Sequence, residues 1–420
     1  MCEWRGTGFG ESGDFAHRRL ARTAPAHPLC LLTSPPETED RPLNTDHFHL
    51  SELSPLIDAT EHFSTPTVTY DQQYSEGIQR LEHFRDLVSR DEVAWEVNYR
   101  LLRKLGSGGQ GVVYLADREG AFDVSFRLAL KFFRPDRYQT VTEYRTDMSR
   151  LARLAMKLSR LQQDHLHDVY NVVENKGIMI QAMEWVDGYD LRQLLTPQTL
   201  NQVRESVDAS RWDYVNDVIV TGTAEQLRMK PGIAISILRE CLTGVGALHR
   251  EGLIHADLKP ANIMIKRTGN AKIIDFGSAF SVDDKPPRST WTPRYSAIEV
   301  QQGATPSPAS DLASLGYILF EMLSGQYPFS GVHSEEELIA AKRLLPEQLP
   351  FLLPEDVSRN STLLNFLAKL IAVKPEDRFA SAEDADLSES GAAAFERELV
   401  KGNLSSEYEN EIRLWLAELE

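Results

Sequence analysis

A chain of 420 residues with 42% apolar and 25% charged side chains can bury a large core, which excludes a mostly disordered protein. Its formal charge of −17 speaks against sequence-blind nucleic-acid binding, which needs local positive charge. Three cysteines, Cys2, Cys30 and Cys241, form neither a disulfide framework nor a zinc cluster, so a reducing compartment is expected.

Residues 1–70 hold seven of the 21 prolines, among them Pro35, Pro36, Pro42, Pro55 and Pro66, and little apolar periodicity. Such a stretch offers too little apolar surface to offset chain entropy and is expected to be disordered. Glu3, Glu11 and Asp14 interrupt the first thirty residues, so no secretory signal is expected. Along the whole chain no run approaches the roughly 18–20 uninterrupted apolar residues of a membrane span. A cytoplasmic protein is the expectation, with neither membrane nor nucleic acid as partner.

From 71 to 97 the pattern turns helical, with Ile78, Leu81, Phe84, Leu87 and Val88 at three- and four-residue steps, as in a helix packed on the domain that follows. Strands are expected at 99–105, 111–117, 124–133 and 177–184, interrupted by one helix at about 138–162. After Asp190 the chain reads as mostly helical, with short strands at 262–265 and 271–275. A small β-rich lobe followed by a larger helical one is an α+β layout. The segment 196–230 reads as an insertion between helices, with a surface excursion favoured over a substrate-docking role. Residues 381–420 hold eleven acidic against three basic side chains, and Tyr408, Ile412, Trp415, Leu416 and Leu419 share a helical stripe. That stripe suits docking on the chain's own domain.

Chemistry-bearing residues punctuate this layout. Gly106-Ser107-Gly108-Gly109-Gln110-Gly111 matches a glycine pattern that two kinds of phosphate site share. Here β-branched and aromatic residues, Val112 to Ala116, follow it rather than a helix. The glycines therefore sit in a hairpin turn that can lie close over phosphates. Lys131 closes the apolar run Leu128-Ala129-Leu130 and needs anionic company if buried. Downstream come His255-Ala256-Asp257-Leu258-Lys259-Pro260-Ala261-Asn262 and then Asp275-Phe276-Gly277. A hairpin turning at Thr268-Gly269-Asn270 would bring Asn262 and Asp275 together as oxygen ligands suited to Mg²⁺.

In this order the motifs resemble the eukaryotic-type serine/threonine protein kinase family, in a bacterial-type soluble form. Three further stretches strengthen the likeness: Thr292-Pro293 to Glu299, Asp311 to Gly316, and Asp377-Arg378-Phe379. The resemblance spans about 98–380. It implies a bilobal protein-kinase-like fold, with a β-rich lobe at about 98–186 and a mostly α-helical lobe at about 187–380. It also implies ATP and Mg²⁺ as cofactors and a protein bearing Ser or Thr as substrate.

By resemblance, Leu105, Gly106, Ser107, Gly108, Gly109, Gln110 and Gly111 would cover the nucleotide. Val113 and Ala129 would lie against adenine, with Met264 completing the site. Lys131 would hold the α- and β-phosphates, and Glu184 and Val186 would read the adenine edge from their backbone. Asp190 would approach the ribose. Asp257 would accept the substrate's proton, Lys259 would neutralise the moving phosphoryl group, and Asn262 and Asp275 would hold metal. Thr292, Glu299, Asp311 and Arg378 would support the loops. Asp147, or else Glu143, would be the acidic partner of Lys131.

Three departures stand out. Ala256 replaces the arginine that would receive an activation-segment phosphate, which implies activity independent of such phosphorylation. The acidic partner of Lys131 is not obvious. Ile298 replaces a structural proline. A catalytically impaired nucleotide-binding or scaffold module of the same fold is the alternative reading.

Overall fold

The structure, a computed structural model, describes residues 97–223, 225–286, 290–401 and 408–419, preceded by residues 79, 82, 83, 85 and 86. Two compact units are distinguished, 1–92 and 93–420. The five described residues of the first are helical and exposed. The proline-rich segment 1–70 and the apolar stripe from Ile78 to Val88 lie outside the described residues.

The second unit opens with an antiparallel five-stranded sheet of order β1-β2-β3-β5-β4. Its strands are β1 (Tyr99–Ser107), β2 (Gly111–Glu119), β3 (Ser125–Phe133), β4 (Val169–Asn175) and β5 (Ile178–Met183). Lys176 (φ 50°) and Gly177 (φ 82°) form the two-residue turn from β4 to β5, the left-handed pair that suits strand twist. β4 escapes a sequence reading because it is an edge strand. It is largely exposed, and its register slips between Val169 and Asn171, so the alternation is weak.

The Val141–Leu158 helix packs beside this sheet and starts at a mutual cap. Thr140 accepts the N–H of Glu143 (3.1 Å), and the Glu143 carboxylate accepts the N–H of Gln139 (3.0 Å). Tyr144, Met148, Leu151, Leu154, Ala155 and Leu158 form its buried face.

After Met183 the chain crosses into a helical lobe. Two long apolar helices, Pro231–Arg250 and Pro308–Ser324, form its centre. Pro231–Arg250 is, by length and composition, long and apolar enough to cross a membrane, although Arg239 and Glu240 interrupt its apolar run. Its most apolar 18 residues have mean hydropathy 1.3, and 67% of them are buried inside the protein, as in a core helix.

The segment 196–230 is not a surface excursion. It folds into helices Pro197–Ser206 and Ala209–Tyr214, a π-helical turn Val215–Ile219 and a short hairpin, Val220–Gly222 with Leu227–Met229. Val203, Val215, Ile219, Val220, Leu227 and Met229 are fully buried. They join the lobe's main core, the Leu227–Met229 strand packing on Pro308–Ser324, and the segment also bonds to the chain's own end. Arg211 reaches Glu418 (2.5 Å), the Gln202 amide donates to the Leu419 carbonyl (2.5 Å), and Ser206 donates to the Glu418 carbonyl (2.8 Å).

The acidic tail packs on the same lobe. Helices Ala382–Leu387 and Ala392–Lys401 lie on Pro231–Arg250, where Arg239 meets Asp386 (2.6 Å) and Glu396. The Tyr408–Ala417 helix buries Ile412, Trp415 and Leu416. Its approach requires Gly269 (φ 97°), where a Cβ would stand 2.1 Å from the Glu409 carbonyl oxygen. Part of the tail's negative charge thus faces arginines of its own lobe, which charge counting along the chain does not show.

Candidate active site

A cleft of about 690 Å³ is lined by Leu105 through Gly111, Val113, Ala129, Lys131, Glu184, Val186, Asp190, Asp257, Lys259, Asn262, Met264, Asp275 and Thr292. That size suits a small-molecule ligand. The structure therefore brings every nominated nucleotide, catalytic and metal residue to one place. Glu299, Asp311 and Arg378 are not among its lining residues.

The upper wall is the turn between β1 and β2. Gly111 permits close strand approach, since a Cβ there would sit 2.1 Å from the Phe132 carbonyl oxygen. Register places Val113 opposite Lys131 and Leu115 opposite Ala129, so the glycine turn and the lysine share one end of the sheet. Between the lobes, the Glu184 N–H is committed to the Asp168 carbonyl (2.9 Å), and its carboxylate pairs with Lys272 (2.5 Å). The carbonyl of Glu184 and the backbone of Val186 stay beside the cleft, with Trp185 between them. Asp190 caps the next helix by accepting the Gln193 N–H (2.8 Å) and pairs in register with Met264.

The lower wall is built on Asp311, at the start of the Pro308–Ser324 helix. Its carboxylate accepts the N–H groups of His255 (2.9 Å) and Ala256 (3.0 Å) and lies 3.0 Å from His249 Nε2. These bonds hold Ala256 at φ 65°, a left-handed conformation that is costly for a residue with a Cβ. The forced turn presents Asp257. One of its oxygens lies 2.6 Å from Lys259 Nζ, and the other accepts the Thr292 hydroxyl (2.7 Å). Lys259 also donates to Thr292 Oγ1 (3.1 Å), closing a triangle.

The Asn262 amide donates to the Asp257 carbonyl (2.9 Å). The Ile274 N–H donates to the Asn262 carbonyl (2.9 Å), which places Asn262 next to Asp275 across the hairpin of Ile263–Lys266 and Ala271–Ile273. Asp275 itself has φ 62°. Its Oδ1 receives Lys131 (2.5 Å) and the Gly277 N–H (3.2 Å). Burial would push this carboxyl up, yet the Lys131 ammonium and the Gly277 N–H outweigh it and hold it well below the usual carboxylate range. The donor set, a charged carboxylate and a carboxamide sharing a cleft, fits a hard divalent cation that keeps other oxygen ligands of its own.

Lys131 does not meet an acid of the Val141–Leu158 helix, which corrects the expectation for Asp147 and for its alternative Glu143. Glu143 is taken up by the helix cap. Asp147 accepts the Tyr138 hydroxyl (2.6 Å) and grips Arg150 (2.9 Å). Arg150, buried, reaches on to the Ala279 carbonyl (3.0 Å), so a cation ties this helix to the segment after Asp275. The second partner of Lys131 is Gln110, whose Oε1 accepts at 2.9 Å while its Nε2 donates to Ser278 (3.3 Å). Gly277 makes room for this amide, as a Cβ there would overlap it.

Two flanking features were not singled out from sequence. Phe276 stacks on His167 (centroids 4.8 Å apart) and meets His255 edge-on (5.4 Å). Burial pulls His167 down to about 4 and lowers His255 as well, so both rings are neutral near pH 7. The segment after Thr292 is tied to the core through Tyr295, which donates to Glu321 (2.6 Å), and Gln226 of the inserted segment donates to the same carboxylate (3.0 Å). Arg378 grips Glu299 with two bonds (2.7 and 2.8 Å). Ile298 opens the short Ile298–Gln301 helix and is buried, so the missing proline is replaced by an apolar contact.

A family model described as protein kinase domain matches residues 99–386. The chain is similar to the serine/threonine-protein kinase PrkC of Bacillus subtilis, 27% identical over 305 residues, covering 69% of this chain and 39% of PrkC. It is also similar to the serine/threonine-protein kinase Pkn1 of Myxococcus xanthus, at 28% over 293 residues, covering 68% and 36%. A third relative is the serine/threonine-protein kinase PknD of Mycobacterium tuberculosis, at 30% over 291 residues, covering 68% and 38%. The chain thus spans well under half the length of these curated relatives.

Proposed function

The chain belongs to the protein kinase domain family, and from that premise we propose that it transfers the γ-phosphoryl group of ATP to serine or threonine hydroxyls of a protein. The observation that carries this reading is the Asp257–Lys259–Thr292 triangle, set in one cleft with Lys131, Asn262 and Asp275. Phosphoryl transfer asks a protein mainly for positioning and charge stabilisation, and these groups supply both.

Lys131, fixed by Asp275 and Gln110, retains donor capacity for the α- and β-phosphates. Asp275 and Asn262 are the groups that would hold a divalent cation. Once bound, such a cation neutralises phosphate charge. Each oxygen of Asp257 keeps a lone pair beside its present bond. One of them orients the acceptor hydroxyl and takes its proton as the new O–P bond forms and ADP leaves. Lys259, 2.6 Å from Asp257, offsets negative charge as it moves toward the acceptor. Thr292 keeps Asp257 in register and supports the serine/threonine assignment.

Ala256 offers no guanidinium to an activation-segment phosphate. Asp311 instead holds the catalytic loop through backbone N–H groups. This supports a kinase of the non-arginine type whose activity does not await phosphorylation of that segment.

The test is incorporation of label from γ-labelled ATP and Mg²⁺ into a general protein acceptor, with Asp257→Asn and phosphatase-treated enzyme alongside. Asp257→Asn is expected to lower the rate about 10²–10⁴-fold, and phosphatase treatment to leave it unchanged. Nucleotide binding without transfer would instead favour the scaffold module, and loss of activity after dephosphorylation would refute the independence claim.

A further inference from the structure

The Glu335–Leu352 helix places a lysine where packing alone would call for an apolar side chain. Lys342 is fully buried, and a buried ammonium costs several kcal/mol unless its surroundings answer it. Its Nζ donates to two main-chain carbonyls, of Pro293 (2.6 Å) and Ser296 (2.5 Å). It also lies over the rings of Tyr317 (4.9 Å) and Phe329 (5.5 Å). Burial pulls this amine down to about 7. The Glu299 carboxylate opposes the shift and the Arg294 guanidinium adds to it.

Two carbonyl dipoles and two ring faces answer the charge, without an anion in direct contact among the described residues. A methionine or leucine at this position would avoid the desolvation cost. The cost is informative because of where the two carbonyls lie. They bracket the four residues that follow Thr292, whose hydroxyl touches Asp257 (2.7 Å). The same stretch is tied at Pro293 by the Gln301 amide (2.6 Å) and at Tyr295 by Glu321 (2.6 Å). Lys342 reaches both ends of the stretch from outside it, beside the Ser296 hydroxyl's own bond to the Pro293 carbonyl (3.2 Å), and it comes from an element whose residues do not line the cleft.

We propose that Lys342 is a positioning residue for the protein substrate: its two main-chain bonds hold residues 293–296 so that a polypeptide lying along them presents its hydroxyl to Asp257. The inference rests on the phosphotransferase reading above. It predicts a defect in the use of protein substrate that leaves nucleotide binding intact.

The experiment compares full-chain wild type, Lys342→Met, Lys342→Gln and Asp257→Asn. Steady-state phosphorylation of myelin basic protein is measured while each substrate is varied. Mg-ADP affinity is read by calorimetry, and melting temperature is recorded for every variant. Lys342→Met, apolar and similar in length, is expected to melt at or above the wild-type temperature. It should bind Mg-ADP within about twofold of wild type, and its kcat/KM for the protein should fall about 10- to 100-fold, the cost of misplacing a bound substrate. Lys342→Gln, which keeps an N–H donor, should recover part of that loss.

An unchanged kcat/KM for the protein in Lys342→Met overturns the proposal. So does a loss of nucleotide affinity that matches the loss of rate. If Lys342→Met does not fold, the same two quantities measured on Lys342→Gln decide. Full activity in Asp257→Asn would strike the underlying reading, whereas an inactive Asp257→Asn beside a normal Lys342→Met strikes the role of Lys342 alone.

Discussion

Gln110 is where side-chain chemistry departs most from the motif that contains it. Its amide links the glycine turn to Lys131 and to Ser278, beside Asp275-Phe276-Gly277. On the proposed reading, phosphates at Lys131 would share its donors with that amide, and a net hydrogen bond is worth about 0.5–1.5 kcal/mol. Gln110→Ala is therefore expected to tighten Mg-nucleotide binding about 2- to 10-fold by titration calorimetry. Weaker binding would show that the amide stays with Lys131 and helps to hold the nucleotide. The glycine spacing pointed to a phosphate-covering turn. It could not show which tip side chain folds underneath, because that depends on the distance from the turn to residues about 170 positions later.

Elements carry the two neutral histidines. His167 lies just before β4, and His255 lies in the loop after the Pro231–Arg250 helix; Phe276 sits between them. Burial lowers His167 to about 4, whereas an unfolded histidine titrates near 6.5. Between those values the unfolded chain takes up a proton that the folded chain refuses, so stability falls as pH drops from about 6.5 to about 4. The difference corresponds to about 3 kcal/mol for this one group, and His255 adds to it in the same direction. Urea midpoints at pH 7 and pH 5 should show the loss. His167→Phe, which keeps a ring against Phe276, should reduce it. An equal acid loss in that variant would place the sensitivity elsewhere. The Val141–Leu158 helix teaches a related lesson. Its amphipathic face is legible from spacing, whereas an acidic partner for Lys131 on it is implied only by the family resemblance. Asp147 was already engaged by Tyr138 and Arg150, contacts that helical periodicity does not encode.

Over the whole second unit, the inserted segment 196–230 and the terminal helix complete one another. Arg211, Gln202 and Ser206 bond to residues 418 and 419, and Trp415 is buried to 1% exposure. Trp415→Ala should cost about 3–5 kcal/mol and lower the melting temperature by several degrees. Trp415→Phe should cost much less, because the buried indole N–H has no hydrogen-bond partner to lose among the described residues. A melting temperature unmoved by Trp415→Ala would mean the terminal helix adds nothing to the unit's stability.

The order of the glycine turn, Lys131, the Asp257 loop and Asp275-Phe276-Gly277 was enough to reach the family and the two-lobed α+β plan. On the proposed reading, those positions answer local backbone demands and phosphate and metal chemistry, and such demands leave their mark on individual residues. The acceptors of Lys131 and Lys342 and the burial of segment 196–230 belong to the tertiary structure. So does the use of the acidic tail as a lobe's outer layer. Each of these depends on atoms tens to hundreds of residues apart coming within bonding distance, and a pattern along the chain carries no term for that distance.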